Sequence, residues 1–317
     1  MKNPYFGKSF IAINQVSSVQ DIEYIFKVAD KMKDVILSGK VYEPLKGKTV
    51  AVLFYQPSTR TFTSFVAAAK RLGAYVIDIN EMTSFSSAVK GESLDDTIRT
   101  IYQTTGADAI VLRHPEDTSS QIAASVQNIP VINGGSGTAE HPTQALLDLY
   151  TIYHKFKRLD NLNIMMVGDL KYGRTIKSLA KLIARVSKNS TITFVSPKEL
   201  RAPKDFIKDL KDKVEVTQRT SFGTEIENTD VVYMTRVQKE WFEKEGKLDE
   251  YENLKLKFIM NKHTADKMKK DAIILHPLPR VGEILLEVDS DPRAWYFEQM
   301  RSGLYIRMAL IEAIILK

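Results

Sequence analysis

Short runs of β-branched and apolar residues alternate with helical patterns along most of this chain, and that alternation limits its fold more than any other feature. Residues 49–54, 74–79, 109–112 and 131–132 read as strands, and residues 21–29 (with Ser18 as N-cap), 63–72 and 93–102 read as helices. A long helix is predicted over residues 143–154. The alternation then restarts, with strands at 163–167, 191–195, 231–234 and 272–275 and a helix at 175–186. Strands separated by helices imply crossover connections, hence parallel sheets with helices on both faces. The expected fold class is α/β: two doubly wound parallel-sheet domains, with the long helix as a bridge. Residues 240–252 are charge-rich around Gly246 and read as a mobile surface loop, and residues 304–316 as an apolar helix.

With 317 residues, 44% hydrophobic and 26% charged, the chain is long enough for two ordinary domains with sizeable cores. It has no cysteine, which excludes disulfides, zinc–thiolate centres and thiol nucleophiles. No apolar run is long enough to span a bilayer, and the opening MKNPYFGKSFIAINQV lacks the pattern of a signal peptide, so a cytoplasmic protein is expected. The net charge of +6 comes from scattered lysines with no basic block interleaved with aromatics, which argues against nucleic acid. An alternative use of positive charge is a site for small anions, and that requires arginines at particular places.

Arginines do recur where strands end. Ser58, Thr59, Arg60 and Thr61 lie between a strand and a helix, where unpaired N–H groups and the helix dipole favour negative charge. Two readings stand at this point: a helix cap with a surface arginine, or an anion cradle. Arg113 follows another strand, and Arg174 opens a helix after Gly168, whose surroundings lack the G-x-G-x-x-G spacing of a dinucleotide site. Arg236 and Gln238, two apart in an extended stretch, point the same way and can grip a carboxylate. His141 and Gln144 share a face at a helix start, after the glycine-rich stretch 133–137; together they can hold a carbonyl. The stretch 84–92, with Ser86 and Lys90, reads in isolation as an ordinary polar loop. His276 opens H-P-L-P-R, a turn stiffened by two prolines, whereas His154 and His263 read as surface or packing residues. Four arginines at such junctions predict a ligand pair with several negative charges: phosphate in the first half, carboxylates in the second.

The ordered set P-S-T-R-T (57–61), K-G-E-S-L-D-D-T (90–97), R-H-P (113–115), H-P-T-Q-A-L-L-D (141–148), V-G-D-L (167–170), Y-M-T-R-V-Q-K-E (233–240) and H-P-L-P-R (276–280) resembles the aspartate and ornithine carbamoyltransferase family. The Arg236/Gln238 pair and the absence of H-C-L-P match its aspartate side. The resemblance implies carbamoyl transfer from carbamoyl phosphate to L-aspartate in pyrimidine synthesis, without metal or cofactor. It also implies a homotrimer with shared active sites, leaving open a regulatory chain or pathway partner. By similarity, Ser58, Thr59, Arg60, Thr61 and Arg113 bind the phosphate, and His141 with Thr61 polarises the carbamoyl carbonyl. Gln144 and the Leu278 carbonyl hold its amide. Arg174, Arg236 and Gln238 hold the aspartate carboxylates, with Leu278 also lining the aspartate site, and Ser86 and Lys90 reach in from a neighbouring subunit, Ser86 to carbamoyl phosphate and Lys90 to both substrates. The implied domains are 1–142 for carbamoyl phosphate, with the C-terminal helix 299–317 packing back on it, and 143–298 for aspartate. An acceptor other than aspartate, such as ornithine, or a silent homologue are the competing readings.

The chain departs from the family pattern at Phe62 and Val66, where arginine and glutamate are usual and an ion pair gives way to an apolar helix face. Gln56 and Trp241 stand where charges are usual, and Gly282 where aspartate is common. The loss of both charges leads to an expectation of altered domain closure with weak or absent cooperativity.

Overall fold

A computed structural model describes residues 2–126 and 128–317. Its contacts divide the chain into two compact units, Met1–Leu147 with Arg301–Lys317, and Asp148–Met300. Each holds one all-parallel sheet.

The first unit contains β1 (Thr49–Phe54), β2 (Tyr75–Ile79), β3 (Ala109–His114) and β4 (Val131–Ser136), in the order β2-β1-β3-β4. The second contains β5 (Asn163–Val167), β6 (Thr191–Val195), β7 (Glu215–Arg219), β8 (Val231–Met234) and β9 (Ile273–Leu275), in the order β7-β6-β5-β8-β9. The fold is therefore α/β with two parallel sheets, as the alternation predicts. The central strands β1, β3, β5 and β8 are almost wholly buried because helices cover both faces, which is why they read as continuous apolar runs. The edge strands β2 and β7 are largely exposed; β7 is correspondingly polar, whereas β2 keeps an apolar sequence with Tyr75 and Ile77 exposed.

In the first unit Leu53, Ile110, Leu112 and Val131 anchor one apolar cluster; in the second Met165, Val167, Val232, Met234 and Ile274 anchor another. The helix Val19–Ser38 begins at Ser18, whose N–H donates to Asp21 Oδ2 at 3.1 Å, and stops at Gly39 with φ 66°. The helix Tyr296–Ile315 packs its later turns on the first unit. Arg307 Nη1 donates to Ser64 Oγ at 2.6 Å, its guanidinium lies 5.0 Å from the Phe65 ring centroid, and Lys31 pairs with Glu312 at 3.1 Å. None of the described helices is long and apolar enough to cross a membrane.

Three differences from the sequence reading have local causes. The first site helix begins at Thr59 rather than residue 63, because threonines and serine occupy its first turns and mask the apolar period. β4 continues to Ser136 through a glycine pair that carries no strand propensity. Residues 240–252 are not a featureless loop: Lys239–Lys244 and Leu248–Leu254 are helices, held by buried Phe242, Tyr251 and Leu254.

Candidate active site

In each unit the strand order reverses once, between β1 and β3 and between β5 and β8. Open parallel sheets bind ligands beyond the carboxyl ends of their strands at such reversals.

In the first unit β1 ends at Phe54, which pairs with Arg113 of β3, and His114 pairs with Ser136 of β4. That register gathers Ser58, Thr59, Arg60, Thr61, Arg113 and the 134–141 stretch along one sheet edge. Ser58 has extended N-cap backbone at the start of the helix Thr59–Arg71, yet its side chain makes no capping hydrogen bond. No acidic residue lies in the first turn. The plain-cap reading thus lacks its defining contact, while the helix start places its first main-chain N–H groups at the sheet edge. Thr61 is buried and Arg60 exposed. Arg113 Nη1 donates to the Gly134 carbonyl at 3.2 Å, bracing the guanidinium across the β3–β4 end. His141 and Gln144 are both buried at the start of the helix Pro142–Phe156, where Gln144 N–H donates to the His141 carbonyl at 3.0 Å. Ser86 and Lys90 lie on a compact segment of short helical turns, Met82–Phe85 and Ser87–Lys90, instead of an irregular loop; Ser86 Oγ donates to the Met82 carbonyl at 2.6 Å and Lys90 is exposed.

Phe62, at the family's usual arginine position, packs edge-on against Phe54 of β1 with centroids 5.3 Å apart, and Val66 is half-buried.

In the second unit β5 and β8 run in register to Val167 and Met234, so the turn leading to Arg174 and the stretch with Arg236 and Gln238 leave adjacent strands. The approach is close. A Cβ on Gly168, at φ +116°, would meet the Thr235 carbonyl oxygen at 2.3 Å, and one on Gly173 would meet the Asp169 carbonyl oxygen at 2.2 Å. Asp169 is fully buried and joins the two segments: its Oδ1 accepts from Tyr172 N–H at 2.9 Å and its Oδ2 from Gln238 N–H at 3.3 Å. Burial pushes the Asp169 carboxyl up against the pull of those N–H donors. Arg236 is half-buried and bidentate to Glu240, with one N–O distance of 3.0 Å. Burial favours the neutral guanidine, but the hydrogen bonds and charge of Glu240 outweigh it and raise the Arg236 pKa.

Leu278 follows β9, which pairs with β8 at Tyr233–Leu275, and has φ 55°. Its N–H donates to His276 Nδ1 at 2.7 Å, and His276 Nε2 contacts Glu283 Oε1 at 2.7 Å with both residues buried. Since Nδ1 accepts, Nε2 is the donor to Glu283. Gly282, where the family commonly has aspartate, sits at φ +107°, a conformation that favours glycine.

The strand ends of the first unit thus set the segments carrying Ser58–Thr61, Arg113 and His141 along one sheet edge. Those of the second set the segments carrying Arg174 and Arg236/Gln238 side by side, and Ser86 and Lys90 lie on a separate segment after β2. Three supporting carboxylates were missed by the sequence reading: Asp169, Glu240 and Glu283. Asp169 and Glu240 fall inside the motifs V-G-D-L and Y-M-T-R-V-Q-K-E but carry no assigned role there, and Glu283 left no trace.

Residues 8–154 match the family model "Aspartate/ornithine carbamoyltransferase, carbamoyl-P binding domain", and residues 160–314 match "Aspartate/ornithine carbamoyltransferase, Asp/Orn binding domain". The chain is 46% identical over 297 residues to the aspartate carbamoyltransferase catalytic subunit of Clostridium acetobutylicum, covering 93% of this chain and 94% of that one. It is 43% identical over 313 residues to the multifunctional protein pyr1-3 of Dictyostelium discoideum; that match takes in 98% of this chain but spans 14% of the larger protein. The fold is similar to the aspartate transcarbamoylase of Trypanosoma cruzi solved with carbamoyl phosphate and aspartate, with TM-score 0.91, 36% identity, and coverage of 99% and 98% of the two chains. Both family models, the identities and the shared fold lead to one conclusion: the chain belongs to the aspartate/ornithine carbamoyltransferase family.

Proposed function

We propose that the chain transfers the carbamoyl group of carbamoyl phosphate to the amine of L-aspartate, giving N-carbamoyl-L-aspartate and phosphate in de novo pyrimidine synthesis. The observation that carries the choice of acceptor is Arg236 with Gln238 at the β8 end: a guanidinium recognises a second carboxylate and repels the cationic side chain of ornithine. The solved Trypanosoma cruzi relative, bound to carbamoyl phosphate and aspartate, supports the same substrates.

Residue roles follow the family resemblance, and the donor chemistry of each residue is consistent with them. Ser58, Thr59, Arg60, Thr61 and Arg113 hold the phosphate at the helix start. His141 and Thr61 donate to the carbamoyl oxygen, and Gln144 and the Leu278 carbonyl hold its amide. Arg174, Arg236 and Gln238 hold the aspartate carboxylates, with Lys90 contributing to both substrates. The first unit then serves carbamoyl phosphate and the second aspartate. The neutral aspartate amine attacks the carbamoyl carbon; a C–N bond forms, the C–O bond to phosphate breaks, and the amine proton goes to the leaving phosphate. Charge builds on the carbamoyl oxygen, where fixed donors are most effective. Orienting two bound reactants supplies about 7–11 kcal/mol of the barrier.

We assign the active assembly as a homotrimer in which Ser86 and Lys90 act on a neighbouring subunit's substrates, and we place the enzyme in the cytoplasm. Mixing Lys90→Ala with His141→Ala protein tests the sharing: regained activity supports it, and an inert mixture of intact trimers overturns it.

The deciding experiment offers purified protein carbamoyl phosphate with aspartate or ornithine across a concentration series. Turnover with aspartate alone is expected. Turnover with ornithine, or none with either while carbamoyl phosphate still binds, overturns the reading. With Gln56 and Trp241 in place of the usual charges, the aspartate curve is expected to be hyperbolic, with a Hill coefficient of about one.

A further inference from the structure

Trp241 stands where the family usually carries a charge, and it is not idle. Its indole stacks on Tyr172, with centroids 5.6 Å apart and planes 13° from parallel. Tyr172 in turn meets Phe242 edge-on at 6.4 Å, and Phe242 meets Tyr251 at 6.0 Å. The Tyr172 hydroxyl bonds the Glu245 carboxylate, and Lys244 Nζ lies 4.5 Å from the Trp241 ring. Tyr172 packs on the buried cluster of Leu200, Val237, Phe242, Tyr251 and Leu254.

The place of this stack in the chain gives it meaning. Tyr172 lies two residues before Arg174, and Trp241 three residues after Gln238 and five after Arg236. The stack therefore clamps side chain to side chain the same two segments that Asp169 joins through their main-chain N–H groups. A carboxylate at one point leaves the segments able to pivot; a planar contact several residues away removes that freedom. A ligand held by one arginine on each segment is measured by their separation.

Resting on the acceptor-site reading above, we propose that Trp241, acting through Tyr172, is a positioning residue that sets the spacing of Arg174 from Arg236 and Gln238, so that the site selects a four-carbon dicarboxylate over a five-carbon one. Trp241 touches no substrate in this scheme. An aromatic plane is required, whereas mere apolar bulk is insufficient.

The test compares inhibition by succinate and by glutarate, four- and five-carbon dicarboxylates without the reacting amine, against aspartate in the full-length enzyme. Trp241→Leu is expected to raise the aspartate KM about three- to ten-fold and to lower the glutarate-to-succinate ratio of inhibition constants by a similar factor, the range of one aromatic pair. The KM for carbamoyl phosphate stays unchanged, Trp241→Phe retains the wild-type ratio, and Tyr172→Leu reproduces the Trp241→Leu shift with no further change in the double variant. Two results overturn the proposal: a ratio in Trp241→Leu within two-fold of wild type, or Trp241→Phe losing as much as Trp241→Leu. Arg236→Ala separates the two levels. If it leaves the aspartate KM unchanged, the acceptor-site reading fails; if it raises that KM while the Trp241 variants behave as wild type, only the positioning role fails.

Discussion

The candidate anion site of the first unit is made largely of main chain and short side chains. A helix start after β1 presents N–H groups, Ser58, Thr59 and Thr61 add hydroxyls, and Arg113 is braced by a carbonyl. In the second unit the proposed binding groups are long side chains, and other residues hold them or their backbone: Glu240 grips Arg236, Asp169 ties down the Gln238 main chain, and a His276–Glu283 pair underlies the Leu278 turn. The difference suits the ligands. A phosphate is compact and is surrounded well by N–H and O–H donors at short range. Two carboxylates on a flexible acid need guanidinium groups at a fixed separation, and long side chains hold a separation only when other residues hold them.

Substitutions can break this contrast, beginning with the largest effect. Thr61→Ala or His141→Ala, at the proposed donors to the developing charge, is expected to lower kcat about 10²–10³-fold, with the aspartate KM little changed, read by steady-state carbamoyl transfer. Arg236→Ala is expected to raise the aspartate KM about 10–100-fold, the range of a charged hydrogen bond, while carbamoyl phosphate binding by calorimetry is unaltered.

Acid should distinguish the units as well. In the second unit burial alone would raise Glu283 and Glu240, but His276 and Arg236 respectively outweigh it, so both carboxyls are held below the usual range. Arg280 lowers Asp289, and Arg293 lowers Asp291. A carboxyl whose folded pKa lies below its unfolded value contributes fully above about pH 4 and loses that contribution as pH falls through the folded value. Asp169, raised by burial, opposes this as a single group. Hydrogen exchange at pH 3 is therefore expected to accelerate in residues 148–300 before it does so in the first unit, and the reverse order would contradict this account. The smallest effect is at the repacked helix face: Phe62→Leu removes one aromatic pair and lowers stability by about 1 kcal/mol, read by thermal or urea unfolding.

The same contrast explains what could be read from the sequence. Central parallel strands are buried on both faces, so β1, β3, β5 and β8 stood out as apolar runs. Exposed β7 and the helix Lys204–Lys211 carried too little apolar signal to be noticed. Arginines at strand ends were legible because strand and arginine are both local features. Asp169 and Glu240 were not, since a buried carboxylate linking two segments about 70 residues apart, or an acid inside a stretch that looked like loop, acquires its role only through the fold. Trp241 was seen only as a missing charge; its stack on Tyr172 is a gain that no local pattern announces.

The helix Tyr296–Ile315 has one more consequence. Its later turns complete the first unit, yet residues 148–300, the whole second unit, are synthesised before them. The first sheet therefore emerges from the ribosome without the helix that Ser64, Phe65 and Lys31 await. At roughly 5–20 residues per second, the 153 intervening residues (148 through 300) impose a delay of about 8–30 s. During that interval the nascent first unit has an apolar face to protect, whereas the second, contiguous in the chain, can close as soon as it is made.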